Sequence, residues 1–143
     1  MANAMTEDEL NNWNQQIMDE FRSHGGRVGG QFEGVPMVIV HHAGAKTGTI
    51  RHTPLTYLPI GEDLAIFGTK GGSPTNPAWY HNLIANPETV VELGSETISV
   101  RVREAKGAER DELFDRQKKA MPPFVDYEAA TSRVIPVLVI ERQ

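Results

Sequence analysis

The chain has 143 residues, 39% hydrophobic and 23% charged, an ordinary globular composition that excludes disorder, collagen-like repeats and a coiled coil. It contains no cysteine, so disulfides, thiol catalysis and sulfur-ligated zinc are excluded, and any chemistry must use oxygen, nitrogen or a bound cofactor. Nineteen acids against fourteen bases give a net charge of −5, which speaks against general nucleic-acid binding because phosphate neutralisation needs a basic surface. No apolar run approaches the roughly 18 to 20 residues that cross a bilayer, and Met1 to Thr6 lacks the basic start of a signal peptide, so the expectation is a single cytoplasmic domain over residues 1–143.

Thr6-Glu7-Asp8-Glu9 reads as a capping box, and Leu10, Trp13, Ile17 and Phe21 follow at helical spacing, which predicts a helix over about residues 7–23. Gly25, Gly26, Gly29, Gly30 and Gly34 then break regular structure and form a loop into the main fold. From Met37 onward strands dominate: Met37 to Ala43, His52 to Ile60, Leu64 to Thr69, Thr89 to Leu93, Glu96 to Ala105 and about Val134 to Arg142. Two helices interrupt them. Ala78 to Asn86 is bracketed by Pro77 and Pro87, and Gly107 to Met121 is stopped by Pro122-Pro123. Six strands joined mainly by tight turns, with three helices, predict a mostly antiparallel α+β split barrel, since parallel pairs need long crossovers that are mostly missing.

The charge is uneven. Residues 35–87 carry only Glu62 and Asp63 against Lys46, Arg51 and Lys70, with His41, His42, His52 and His81 in the same stretch. The middle of an acidic protein is its one cationic region, which suggests a small anionic ligand held at one place. Gly44-Ala45-Lys46-Thr47-Gly48-Thr49-Ile50-Arg51 lies between two predicted strands, where glycines let backbone N–H groups share a concavity that a lysine and an arginine can both reach. It is not a Walker A loop, because Ala45 precedes Lys46 and Val40 stands where the first glycine belongs. Taken alone it reads equally well as a surface hairpin with two solvated cations. A second loop, Thr69 to Pro77, opens onto a helix and carries Lys70-Gly71-Gly72. His41 and His42 point to opposite faces of a strand with no third ligand evident, so no metal site is expected. His52 and His81 read better as hydrogen-bonding residues near the ligand, and no catalytic serine elbow or zinc-binding histidine helix occurs.

These loops, followed by Asn76-Pro77-Ala78-Trp79-Tyr80-His81-Asn82-Leu83, Ala85-Asn86-Pro87, Asp126-Tyr127 and Arg133-Val134-Ile135-Pro136-Val137, resemble in the same order the deazaflavin-dependent nitroreductase family, the A-type group of actinobacterial oxidoreductases that use coenzyme F420. The resemblance covers about Val38 to the end and leaves the helix of residues 1–24 outside, free to lid the pocket or to touch a surface; its acids disfavour anionic lipid. It implies a split barrel over residues 35–143 that binds a deazaflavin with a phosphate and an oligoglutamate tail. Lys46 and Arg51 match positions that hold the tail's anions, Lys70 and Gly71 match the second cofactor loop, and Pro54, Thr56, Trp79 and Asn82 match positions near the cofactor, with Thr47, Gly48 and Thr69 also expected to bind it.

The implied activity is hydride transfer from F420H2 to an electron-poor acceptor: a conjugated enone or lactone, a quinone or a nitro compound. The chain also departs from the family. Phe124 stands where a tyrosine thought to assist catalysis belongs, Thr56 replaces an aromatic residue, and Tyr127 is kept, so Phe124, Thr56 and Tyr127 are the expected substrate pocket, with Tyr127, Thr56 or water as proton donor. An FMN-dependent reductase on the same barrel and a non-catalytic F420 carrier are the alternatives. No nucleic acid and no membrane-spanning segment are expected, and an oligomer is possible.

Overall fold

A computed structural model describes residues 6–72 and 74–143. Helix α1 spans Glu7–Ser23, and its first turn is capped as the sequence predicts, with the Glu9 N–H donating to Thr6 Oγ1 at 3.1 Å. The apolar stripe divides along the helix. Ile17 and Phe21 are buried, whereas Leu10 and Trp13 remain 46% and 38% exposed.

The strands are β1 (Met37–Ala43), β2 (Ile50–Thr56), β3 (Leu58–Ile60), β4 (Asp63–Phe67), β5 (Glu88–Leu93), β6 (Glu96–Ala105) and β7 (Val137–Arg142). They form one antiparallel sheet in the order β2-β1-β5-β6-β7-β4-β3. The run read as one strand from His52 to Ile60 is therefore two, and the two lie at opposite edges of the sheet with only Tyr57 between them. A single residue spans little more than 3 Å, so the sheet must curl until its edges meet, which makes it a barrel. Prolines 54 and 59 fall on these two edge strands, where a missing N–H costs least.

Helix α2 (Ala78–Ala85) lies over β1, while α3 (Gly107–Ala120) and α4 (Pro123–Ala129) cover β3, β4 and β7. The proline pair ends α3 as expected. Pro123 then opens α4, because proline suits a first helical turn, so the described residues form seven strands and four α-helices rather than six and three. The last strand starts at Val137 rather than Val134, since Pro136 has no N–H for a ladder.

Strand alternation sorts the core into layers. Leu64 and Ile66 of β4 and Leu138 and Ile140 of β7 fill the barrel with Val38, Val40 and the α2 residues Trp79 and Leu83. Ala65, Phe67, Val137 and Val139 face outward but are buried by α3 and α4. Both faces being covered, β4 and β7 read as continuous apolar runs rather than alternating ones. Met37 and Ile39, on the other face of β1, carry α1 through Ile17, Met18 and Phe21. Among the described residues no helix is long and apolar enough to cross a membrane.

Candidate functional site

A cleft of about 580 Å³ runs along the β2 edge. Leu10, Asn11, Asn14, Gln15 and Met18 of α1 make one wall. Arg51, His52, Thr53 and Leu55 of β2 lie beside them, and Thr69, Lys70 and Trp79 close the other side. A larger hollow of about 720 Å³ lies at the glycine loop after α1, but Glu20 and Glu33 against Arg27 give it no excess of positive charge. The β2 cleft meets the cationic stretch and is the candidate site.

At its outer end the β1–β2 loop closes on itself. The Gly44 N–H donates to Thr49 O at 2.9 Å and the Gly48 N–H to Gly44 O at 2.8 Å, with Gly48 at φ +72°, a conformation that side chains disfavour. Among the described residues the amides of Lys46 and Thr47 find no acceptor, and the Lys46 and Arg51 side chains make no ion pair. Two uncompensated cations beside two unpaired donors give this loop the chemistry of an anion site. Arg51 lines the cleft. Lys46, Thr47 and Gly48 form its exposed outer tip.

The second loop holds Lys70 at φ +46°, the left-handed region where a non-glycine residue costs on the order of 1 kcal/mol or more. Arg133 pins it, donating to Thr69 O at 2.8 Å and to Asn76 Oδ1 at 2.7 Å. A Cβ on Gly72 would meet Ala130 Cβ at 2.6 Å and Tyr127 O at 3.0 Å, so only glycine fits where α4 crosses this turn. Lys70 Nζ, 3.2 Å from Thr75 Oγ1, faces the cleft.

Under the floor runs a buried polar chain. The Ala45 N–H donates to Asn82 Oδ1 at 2.9 Å, Asn82 Nδ2 lies 2.9 Å from His42 Nδ1, and His42 Nε2 lies 2.8 Å from Thr53 Oγ1. His42 is 3% exposed, and burial, reinforced by the Arg51 guanidinium, pushes its imidazole down to about 4. It is neutral at any ordinary pH. Asn82, expected near the cofactor, is 8% exposed and uses its amide to hold the loop.

On the opposite face of the same strands His41 and His52 stack at 4.0 Å, and Glu92 supplies the third group that sequence reading did not find, 51 residues from His41. Arg22 of α1 grips Glu92 at 2.9 and 2.8 Å and also lies 3.3 Å from His52 Nδ1, while His41 Nε2 donates to Glu92 Oε2 at 2.7 Å. The Arg22 hydrogen bond holds the Glu92 carboxyl at about 2. The three potential ligand atoms lie within 4.8 Å of one another, but a guanidinium nitrogen sits among them. The cluster is an ion-pair latch for α1.

The remaining expected site residues are dispersed. Pro54 is buried on β2 beside the cleft, and Trp79 is 7% exposed and lines it. Phe124 is 6% exposed and meets Phe67, a lining residue, edge-on at 5.8 Å, while Tyr127 packs on Phe124 at 5.3 Å. Thr56, half-buried opposite Met37 at the far end of β2, makes no hydrogen bond or ring contact with either. His52 lines the cleft; His81 is exposed and packs on Tyr80. Sequence reasoning missed Thr53 and the α1 amides. Thr53 had a signal, since it shares a strand face with Arg51 two residues away. The amides had none.

Residues 13–142 match the sequence pattern of the family described as F420H(2)-dependent quinone reductase, so the likeness begins inside α1 rather than after it. An F420H(2)-dependent quinone reductase of Mycobacterium tuberculosis is 35% identical over 127 residues, 86% of this chain and 85% of the relative. Among solved structures, an F420-H2 dependent reductase (FDR-A) superposes with a TM-score of 0.68 at 36% identity, over 74% of this chain and 94% of that one. A protein solved as a domain-swapped dimer gives 0.70 at 30% identity, over 95% of this chain and all of that one.

Proposed function

The chain belongs to the F420H(2)-dependent quinone reductase family and is an F420H2-dependent reductase, and on that premise we propose that it acts on a quinone or another conjugated carbonyl compound in the β2 cleft. The observation that carries the placement is the run of cations without acid partners among the described residues, from Lys70 and Arg51 on the cleft to Lys46 beyond its mouth. A deazaflavin with a phosphate and an oligoglutamate tail needs charge at one end and an apolar slot at the other, and this cleft has both. Lys46, Thr47, Gly48 and Arg51 would hold the tail. Thr69, Lys70 and Gly71 would border the ring, with Trp79 and Pro54 as apolar backing and Asn82 acting through the loop that it fixes.

When bound, the cofactor supplies the hydride. The protein's part is to orient both reactants, keep water out with Leu55, Met18 and Trp79, and deliver the proton that completes reduction of a quinone to a hydroquinone. Tyr127 and Thr56 are the proposed donors and Phe124 the apolar end of the acceptor's pocket. Membership of the A-type deazaflavin-dependent nitroreductase group, and a dimer like that of the domain-swapped relative, belong to the same proposal.

Titrating the purified protein with F420 and with FMN tests the cofactor assignment. F420 should bind at least tenfold more tightly, since only its tail can use the outer cations; tight FMN binding without F420 binding would overturn it. Oxidation of F420H2 should then be faster with quinones than with nitroimidazoles, and no turnover with any acceptor would make the protein a carrier.

A further inference from the structure

Hydrogen-bond bookkeeping along the buried chain leaves one arrangement. A backbone N–H can only donate, so the Asn82 atom facing Ala45 is the amide oxygen, and the atom facing His42 is the amide nitrogen, also a donor. His42 Nδ1 must then accept, which places its single proton on Nε2, and Nε2–H donates to Thr53 Oγ1. Thr53 thereby has a lone pair engaged from below, and among the described residues its own hydroxyl proton has no acceptor although the side chain lines the cleft. The low basicity of the buried imidazole agrees with a single proton on the ring.

We propose that His42 is a positioning residue that, by filling one Thr53 Oγ1 lone pair through its Nε2–H, leaves the Thr53 O–H as the group to be satisfied from the cleft, so that the ligand there presents an acceptor atom, a carbonyl oxygen or an unprotonated ring nitrogen, at that point. The selectivity follows from sign. An N–H edge placed against Thr53 could reach only its second lone pair, and would leave the hydroxyl proton without an acceptor among the described residues. Because the same chain ends on Ala45, the lone pair that His42 fills is set by the scaffold that shapes the anion loop. The inference rests on the cleft being the F420 and acceptor site.

The first test reads the tautomer. In ¹⁵N-labelled wild-type protein at pH 7, long-range ¹H–¹⁵N spectra, with His42 assigned by its loss in His42→Gln, should show an N–H at Nε2 and an unprotonated Nδ1. A proton on Nδ1, or on both nitrogens, overturns the proposal. The second test reads the donor. Thr53→Val should weaken F420 binding about 3- to 10-fold, the worth of one neutral hydrogen bond, while Thr53→Ser stays within about twofold. If instead F420 affinity holds and KM for the quinone rises by that factor, the acceptor atom belongs to the substrate; if neither moves, the proposal fails. In a His42→Leu background Thr53→Val should add little, and a full additive loss there would show that Thr53 does not depend on His42. Wild-type protein that binds no F420 would sink the cofactor assignment, while the tautomer would still decide the inference about His42.

Discussion

Two histidine-centred networks leave opposite faces of the same pair of strands, and they are built on different physics. On the inner face Ala45, Asn82, His42 and Thr53 form a neutral chain in which each link pairs one donor with one acceptor and the histidine is 3% exposed. On the outer face Arg22, Glu92, His41 and His52 form a charged cluster, with the Arg22 side chain 38% exposed. The inner network sets directions, because a buried hydrogen bond cannot be re-aimed without leaving a group unsatisfied. The outer one holds α1 by Coulomb attraction that solvent and salt can weaken. Neighbours in sequence, His41 and His42 thus serve a latch and a template.

Acid should separate the two most strongly. Unfolded His42 takes its proton near 6.5 and folded His42 only near 4, so its contribution is complete above about pH 6.5, falls as pH drops from 6.5 to 4, and is gone below. At about 1.4 kcal/mol per pKa unit the loss is up to about 3 kcal/mol. Glu92, depressed from 4.5 to about 2, contributes above about pH 4.5 and loses that contribution between 4.5 and 2. Urea melts across this range should show two limbs, with the upper one missing in His42→Gln; a single limb below pH 4.5 would mean that His42 is not held neutral by burial.

Next in size are the cations above the inner face. Lys46→Ala and Arg51→Ala should each weaken F420 binding about 10- to 100-fold, as charge-assisted hydrogen bonds worth about 1.5 to 3 kcal/mol are lost, and raising salt should weaken the wild type in the same direction. Isothermal titration at two ionic strengths checks this, and unchanged affinity in both variants would move the anion site elsewhere. Asn82→Leu strands the His42 Nδ1 and the Ala45 N–H together, so a loss of about 2 kcal/mol in thermal or urea unfolding is expected, with weaker cofactor binding through the loosened loop. The smallest effect belongs to the latch. Glu92→Gln should cost about 1 to 2 kcal/mol at low salt, since solvent at the half-exposed Arg22 screens part of what the lowered Glu92 carboxyl implies, and less at 1 M salt, with proteolysis near Gly25 and Gly26 rising as α1 is released; a loss of several kcal/mol independent of salt would contradict an attraction that salt screens.

Much of the fold was legible because local rules agreed with tertiary ones. The α1 cap, the β6 alternation and the proline bounds of α2 are all short-range signals, and each element stands within a residue or two of its expected limits. What misled most was a decision made elsewhere in the chain. Nothing local in Thr56-Tyr57-Leu58 announces that the strand leaves one sheet edge and joins the other, and nothing in Pro122-Pro123 distinguishes the end of one helix from the end of one helix and the start of another. The site divides the same way. Its charges and glycines are sequence-visible, whereas the partnership of His42 with Asn82, or of His41 with Glu92, appears only once strands from distant parts of the chain lie side by side.

The single residue between β2 and β3 also bears on how the barrel comes into being. Each flanking hairpin, β1 with β2 and β3 with β4, is local in sequence and can form early, as can β5 with β6. The remaining contacts, Val40 against Val91, Ala65 against Val139 and Val102 against Ile140, stitch distant segments and must wait for the loops between them to close. With Tyr57 already tying two hairpins into one curved ribbon, those late stitches have fewer arrangements to search, and the chain's tightest corner becomes the natural starting point of assembly.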